Sequence, residues 1–223
     1  MKETIYTIPI NEVFEQKCGC PMCTLAKRTE TKMLEYIMGA AMMESDVRES
    51  TNREGFCARH YADMIAMNNR LSLALTIESR LKTVADLTAA FAKSPNSRSA
   101  ANIAKTGRSC FVCGKVTSEQ ERYYENLLGM WRDEEHFREL FRRQEYFCLP
   151  HFGELLERAN RALPRKHAAV FARDLAGIEQ AWLERMRGEV SGFTRSFDYR
   201  YNGEPFEKEA VERAAAFLSG LNA

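Results

Sequence analysis

No stretch of this chain approaches the roughly 18 consecutive apolar residues that a membrane-spanning helix needs. The first residues, MKETIYTIPINEVFEQK, also lack the apolar run of a secretory signal. An excess of charge is missing too: 32 Lys and Arg face 31 Asp and Glu, a formal net charge of +1. That balance supplies no general pull toward nucleic acid or an anionic membrane surface, so neither is an expected partner. Short basic clusters such as Arg142-Arg143 read as solvated helix faces. Strand-like alternation of apolar and polar residues is not found. Nor does the chain offer a nucleophile–base pairing, a Gly-rich phosphate loop or a carboxylate dyad that would name a reaction. These absences point to a cytoplasmic, all-α protein and lean away from an enzyme.

Apolar residues instead recur at helical spacing. Leu71, Ala74, Leu75, Leu81, Val84, Leu87 and Phe91 mark one long helix, and a second begins after Pro164 and runs to about Phe193. Shorter helices are predicted at about 24–42, 45–52, 58–68, 115–131, 133–144 and 151–162, with a last one from Lys208 to Leu218 capped by Gly220. Residues 94–109, small and polar, read as a linker or excursion.

Seven cysteines remain to be explained in a chain expected to stay reduced. An offset of 90 carries Cys20-Pro-Met-Cys23 onto Cys110-Phe-Val-Cys113, Glu35 onto Glu125 and Gly39 onto Gly129. One inserted residue later, an offset of 91 carries Phe56-Cys57-x-x-His60 onto Phe147-Cys148-x-x-His151. Six of the seven cysteines and two of the four histidines fall into register, which marks an internal duplication.

Each half thus spells C-x-x-C followed by C-x-x-H, the three thiolates and one imidazole of a closed tetrahedral zinc shell. Ligands three residues apart at a helix start share a face, and the helix N-terminus stabilises thiolate there. Taken half by half, the expected sets are Cys20, Cys23, Cys57 and His60, then Cys110, Cys113, Cys148 and His151, each clamping two helix starts around one zinc ion. An iron–sulfur cluster, a reversible C-x-x-C disulfide and plain buried thiols are the competing readings. Arg59 is a candidate cation beside the first site.

Cys18 stands outside the duplication, either as a bystander or as a sensor thiol that exchanges onto a metal. His136 and His167 lack partners at ligand spacing and read as surface residues. The aromatic segment Gly192–Phe206 falls between two helices, and Asp198, Tyr199 and Arg200 within it are a candidate ligand or partner loop. The expected organisation is a first metal-binding repeat (1–93), a linker (94–109), a second repeat (110–195), and an aromatic loop with a C-terminal helix (196–223). The leading functional expectation is a non-enzymatic zinc scaffold or adaptor serving a protein partner or small ligand. A metal or redox sensor is second, and an enzyme at the Asp198–Arg200 loop third.

C-x-C-P-x-C (Cys18–Cys23), G-F-C-x-x-H, the second C-x-x-C, F-C-L-P-H and the late F-D-Y-R together resemble an uncharacterised bacterial family, a domain of unknown function widespread in anaerobes. The similarity spans nearly the whole chain. It implies a helical cytoplasmic protein whose Cys and His residues are metal ligands. The second C-x-x-C departs from the first in carrying Phe111 where Pro21 stands.

Overall fold

The computed structural model describes residues 5–16 and 18–220. Among them are eleven α-helices, two short 3-10 turns and no strand, and no helix is long and apolar enough to cross a membrane. The chain forms two compact units. One comprises Arg28–Glu119; the other joins the residues up to Lys27 to those from Gln120 onward. The unit boundaries therefore fall inside two helices, α2 (Pro21–Met38) and α7 (Phe111–Asp133), and not in the stretch 94–109. That stretch is mostly helix α6 (Ser97–Thr106), capped by the Asn96 side chain, which accepts from Ser99 N at 2.9 Å.

The Arg28–Glu119 unit contains the later turns of α2, α3 (Ser45–Glu54), α4 (Ala58–Ala66), α5 (Arg70–Lys93), α6 and the start of α7. Its core is small: Leu34, Ile37, Met38, Phe56, Met64, Leu73, Phe111 and Val112. Helix α5 forms where the periodicity places it, but it does not bury the expected stripe. Leu71 and Leu81 are exposed, while Leu73 and Arg80 are buried. The buried guanidinium sets that face, because main-chain carbonyls hold it: Arg80 donates to Asn52 O at the end of α3 and to Thr106 O at the end of α6 (2.9 Å). Polar anchoring outweighs the leucine pattern here.

The other unit holds α1 (Thr7–Phe14), the first turns of α2, the rest of α7, α8 (Glu135–Arg142), α9 (Leu149–Ala162), α10 (Arg165–Arg195) and α11 (Ala210–Ser219). Its core is aromatic. Phe14, Phe137, Phe141, Phe147 and Phe171 form a connected set with neighbouring rings 5.0–6.2 Å apart, and Tyr146 stacks on Trp182 at 4.0 Å. Gly220 ends α11 in the left-handed conformation (φ 72°), as its position after the last apolar residue predicts.

Gly55 joins α3 to the F-C-x-x-H turn at φ 65°, ψ −160°, a region open essentially to glycine alone. A Cβ there would also lie 2.8 Å from the Arg80 guanidinium. Gly55→Ala is expected to cost about 1–3 kcal/mol, read as a lowered denaturant midpoint, whereas Gly153→Ala, with open space around the new methyl, should not lower it.

Candidate metal centres

All four ligand pairs are built alike. The first cysteine of each pair stands at a helix start, and its carbonyl accepts the first helical hydrogen bond: Cys20 O from Thr24 N (3.1 Å), Cys57 O from Tyr61 N (3.0 Å), Cys110 O from Gly114 N (3.0 Å) and Cys148 O from Phe152 N (2.8 Å). The second ligand follows three residues later, one turn along the same face. Four helix N-termini, of α2, α4, α7 and α9, thereby aim two ligands each, with the positive end of the helix dipole behind them.

The structure pairs these turns differently from the half-by-half expectation. Cys20 and Cys23 meet Cys148 and His151, while Cys57 and His60 meet Cys110 and Cys113, the ligand atoms of each set lying within 4.8 Å of one another. The sets Cys20–Cys23–Cys57–His60 and Cys110–Cys113–Cys148–His151 do not form. Each C-x-x-C is closed by the other half's C-x-x-H, so the inner quartet is nested within the outer one along the chain. Both halves contain every ligand type, and each compact unit encloses one complete quartet.

In the outer quartet, Cys23 Sγ lies 3.5 Å from Cys148 Sγ, and His151 Nδ1 lies 3.4, 3.2 and 3.0 Å from the sulfurs of Cys20, Cys23 and Cys148. In the inner quartet, Cys57 Sγ and Cys113 Sγ are 3.9 Å apart, and His60 Nδ1 is 3.2, 3.2 and 3.5 Å from the sulfurs of Cys57, Cys110 and Cys113. Zinc–ligand bonds of 2.0–2.3 Å in a tetrahedron place sulfurs about 3.8 Å apart and sulfur about 3.6 Å from nitrogen. The donor set and its spacing fit a single ion in each quartet.

Both histidines present Nδ1 to the sulfurs and turn Nε2 outward, and what waits there differs. His60 Nε2 faces the buried Glu30 carboxylate at 2.7 Å, and Arg59 donates to the same oxygen. Arg59 therefore does stand beside the first C-x-x-H, acting through Glu30. Asp63 lies near the same imidazole, but Glu30 already takes the remaining ring nitrogen. His151 Nε2 faces the Gln120 amide at 3.3 Å. With Nδ1 on a metal, Nε2–H is a donor, so that amide must turn its oxygen to the ring. Glu30 and Gln120 are the residues that a search for Cys and His overlooks. The signal was present: the offset of 90 that aligns the C-x-x-C pairs also carries position 30 onto 120. Such partners fix the ring orientation and raise ligand basicity.

Crowding three sulfurs sets their proton affinities. A hydrogen bond with Cys148, reinforced by burial, pushes the Cys23 thiol up to about 12. Burial raises Cys20 as well, while bonds from Cys20, Cys23 and His151 pull Cys148 far down. Burial lifts Cys113 to about 12, with Cys110 adding to it. For Cys57, burial is outweighed by the His60 N–H and the neighbouring sulfurs, and its pKa falls. At least one sulfur of each cluster is thus held protonated unaided, and a divalent cation would ionise all three.

The two centres differ in access. Cys20, Cys23 and Cys148 are 1–4% exposed, and a Cβ on Gly220 would sit 3.4 Å from Cys148 Sγ, so the end of α11 closes over that sulfur. In the inner quartet His60 is buried, Cys57 and Cys110 are half-buried, and Cys113 is exposed.

Glu179 on α10 supports the outer centre by accepting from Phe147 N at 2.7 Å, just before Cys148. Its other oxygen is buried without a hydrogen-bond partner among the described residues, and burial pushes its pKa from 4.5 up to about 7.

The remaining candidates lie apart from the quartets. Cys18 Sγ donates to Val13 O at 3.7 Å and belongs to neither cluster. Asp198 and Arg200 are consumed by each other, with Arg200 N and its guanidinium donating to the Asp198 carboxylate at 2.6–3.1 Å; Tyr199 projects into solvent. His136 and His167 are exposed.

The chain belongs to the Family of unknown function (DUF6062), whose model matches residues 1–223. No curated protein and no solved structure matches it.

Two outcomes test this geometry. Glu30→Gln and Gln120→Ala are each expected to weaken metal binding at their own centre about 10–100-fold, measured by competition with a chromophoric chelator. A protonated, buried Glu179 lends stability that is present below about pH 4.5 and lost as the pH rises through about 7. Denaturation of wild type and Glu179→Gln across that window should show a larger loss of stability with rising pH in the wild type than in the variant.

Proposed function

We propose that this member of the DUF6062 family is a non-enzymatic, zinc-dependent helical scaffold or adaptor holding two structural zinc ions. The observation that carries this reading is the completeness of both quartets: three sulfurs and one imidazole nitrogen within 4.8 Å of one another, twice. A shell filled by four protein ligands leaves no position for water or substrate, which favours structural over catalytic zinc. An iron–sulfur cluster spreads its four ligands over two or four irons, so they do not all converge on one point as they do around a single ion. The tight convergence therefore favours zinc over the cluster. Bound there, zinc would supply the positive charge that three thiolates need, with His60 and His151 held in place by Glu30 and Gln120. The outer quartet then ties the start of α2 to that of α9, and the inner quartet ties α4 to α7. The exposed Phe197 and Tyr199 are side chains that a protein partner would cover, in keeping with an adaptor role.

Cys18 has no part in this reading, since its sulfur is turned to a main-chain carbonyl. Metal analysis of protein purified without oxygen should give two zinc per colourless chain; brown protein absorbing in the visible would sink the proposal. Cys18→Ser should keep both ions. The pairing has its own signature. Cys20→Ser combined with Cys148→Ser should lose one ion, whereas Cys20→Ser combined with Cys57→Ser should lose both. The half-by-half pairing would give the reverse.

A further inference from the structure

The two quartets share a ligand set but not an environment, and the difference is chemical. The outer one is sealed: its three sulfurs are almost wholly buried, and Gly220 lies against one of them. The inner one opens onto a groove of about 950 Å³, a volume of the size that admits small molecules. Cys110 and Cys113 both line that groove, whose walls come from the end of α3, the middle of α5 and helix α6. Helix α6 belongs to the stretch between the two motif sets, so the groove depends on chain that the duplication does not account for.

Resting on the two-zinc reading, we infer that Cys110 and Cys113 form a thiol-oxidation site, at which a hydroperoxide entering this groove converts the inner centre to a disulfide and discharges its metal. Zinc-bound sulfur is thiolate, the nucleophilic form. The Cys113 sulfur attacks the outer oxygen of the peroxide; an S–O bond forms, the O–O bond breaks, and hydroxide (or alkoxide) leaves. Cys113 is then a sulfenic acid. The Cys110 thiolate attacks that sulfur; an S–S bond forms, the S–O bond breaks, and a second hydroxide leaves. Two thiolates lose two electrons in total, and one peroxide gains them. Cysteines three residues apart at a helix start lie within the roughly 4.4–6.8 Å Cα separation that a disulfide spans. Cys57 and His60 alone then remain, half a shell.

The outer quartet is an internal control. It carries the same C-x-x-C at the same kind of helix start, but its three sulfurs are only 1–4% exposed. Selectivity between the two is thus set by access and not by ligand type.

The test is a hydrogen peroxide titration of the zinc-loaded chain, with released zinc followed by a chromophoric chelator and cysteines mapped by peptide mass spectrometry. One ion per chain should be released, together with a Cys110–Cys113 disulfide, and reduction with zinc should restore it. Thr117→Trp adds a control that spares every ligand. Thr117 lines the groove one turn beyond Cys113, and a helical side chain covers the turn before it. This variant should hold two zinc and release the first several-fold more slowly. Release of both ions together, release of neither, a disulfide mapped to Cys20, Cys23 or Cys148, or an unchanged rate in Thr117→Trp overturns the inference while leaving two structural zinc sites standing. A freshly purified chain without zinc overturns both.

Discussion

Three sulfurs brought within a few ångströms of one another repel as thiolates and are costly to bury, and the arrangement of both centres answers that cost. Each ligand pair opens a helix, so two sets of unpaired N–H groups and two dipole ends face each cluster. Even so, burial and mutual repulsion keep Cys20, Cys23 and Cys113 protonated in the absence of a cation. Binding a cation there and ionising these sulfurs would therefore be one process, in which the ion expels protons.

The exchanged pairing has little thermodynamic obstacle. Closing Cys23 onto Cys148 spans 125 residues, against 34 for a closure onto Cys57 within the same half. Loop-closure entropy grows only as the logarithm of length, so the longer closure costs about 1 kcal/mol more. An ion held by three sulfurs and one imidazole would contribute equally in either pairing, so this small entropy term is all that separates them by chain closure. Side-chain fit around the turns decides instead. Gly19, before Cys20, lies against the Tyr146 ring, where a Cβ would come within 3.0 Å of the hydroxyl. Its aligned position, Ser109, donates to Glu54 O at 2.6 Å beside Gly55, and Phe111 N donates to Gly55 O at 2.9 Å. A glycine facing a tyrosine in one unit corresponds to a serine beside a glycine in the other.

The two centres have the same donors and different surroundings. A carboxylate with its arginine backs His60, and a neutral amide backs His151. The charges of Arg59 and Glu30 offset each other, so both centres carry the same net charge despite that difference. One is closed over by the end of α11, and the other has an exposed sulfur at the edge of a groove. Equal ligands with unequal access are the ground for different chemistry.

The sequence by itself determined the all-helical class, most helix positions, the eight Cys and His residues of the two clusters and their arrangement in pairs, because each of these rests on local spacing. Helix periodicity, a cysteine at a helix start and a ligand one turn later are all contained in a few consecutive residues. The same local logic placed α5 but misjudged its buried face, since Arg80 is held by carbonyls of α3 and α6 that no periodicity announces. Only the tertiary structure decided which C-x-x-C meets which C-x-x-H, where the units divide, and which cysteine stays exposed. The two C-x-x-C turns are chemically alike, as are the two C-x-x-H turns, and nothing distinguishes their partners until the residues beside them, Tyr146 against Gly19 and Ser109 against Glu54, pack in space.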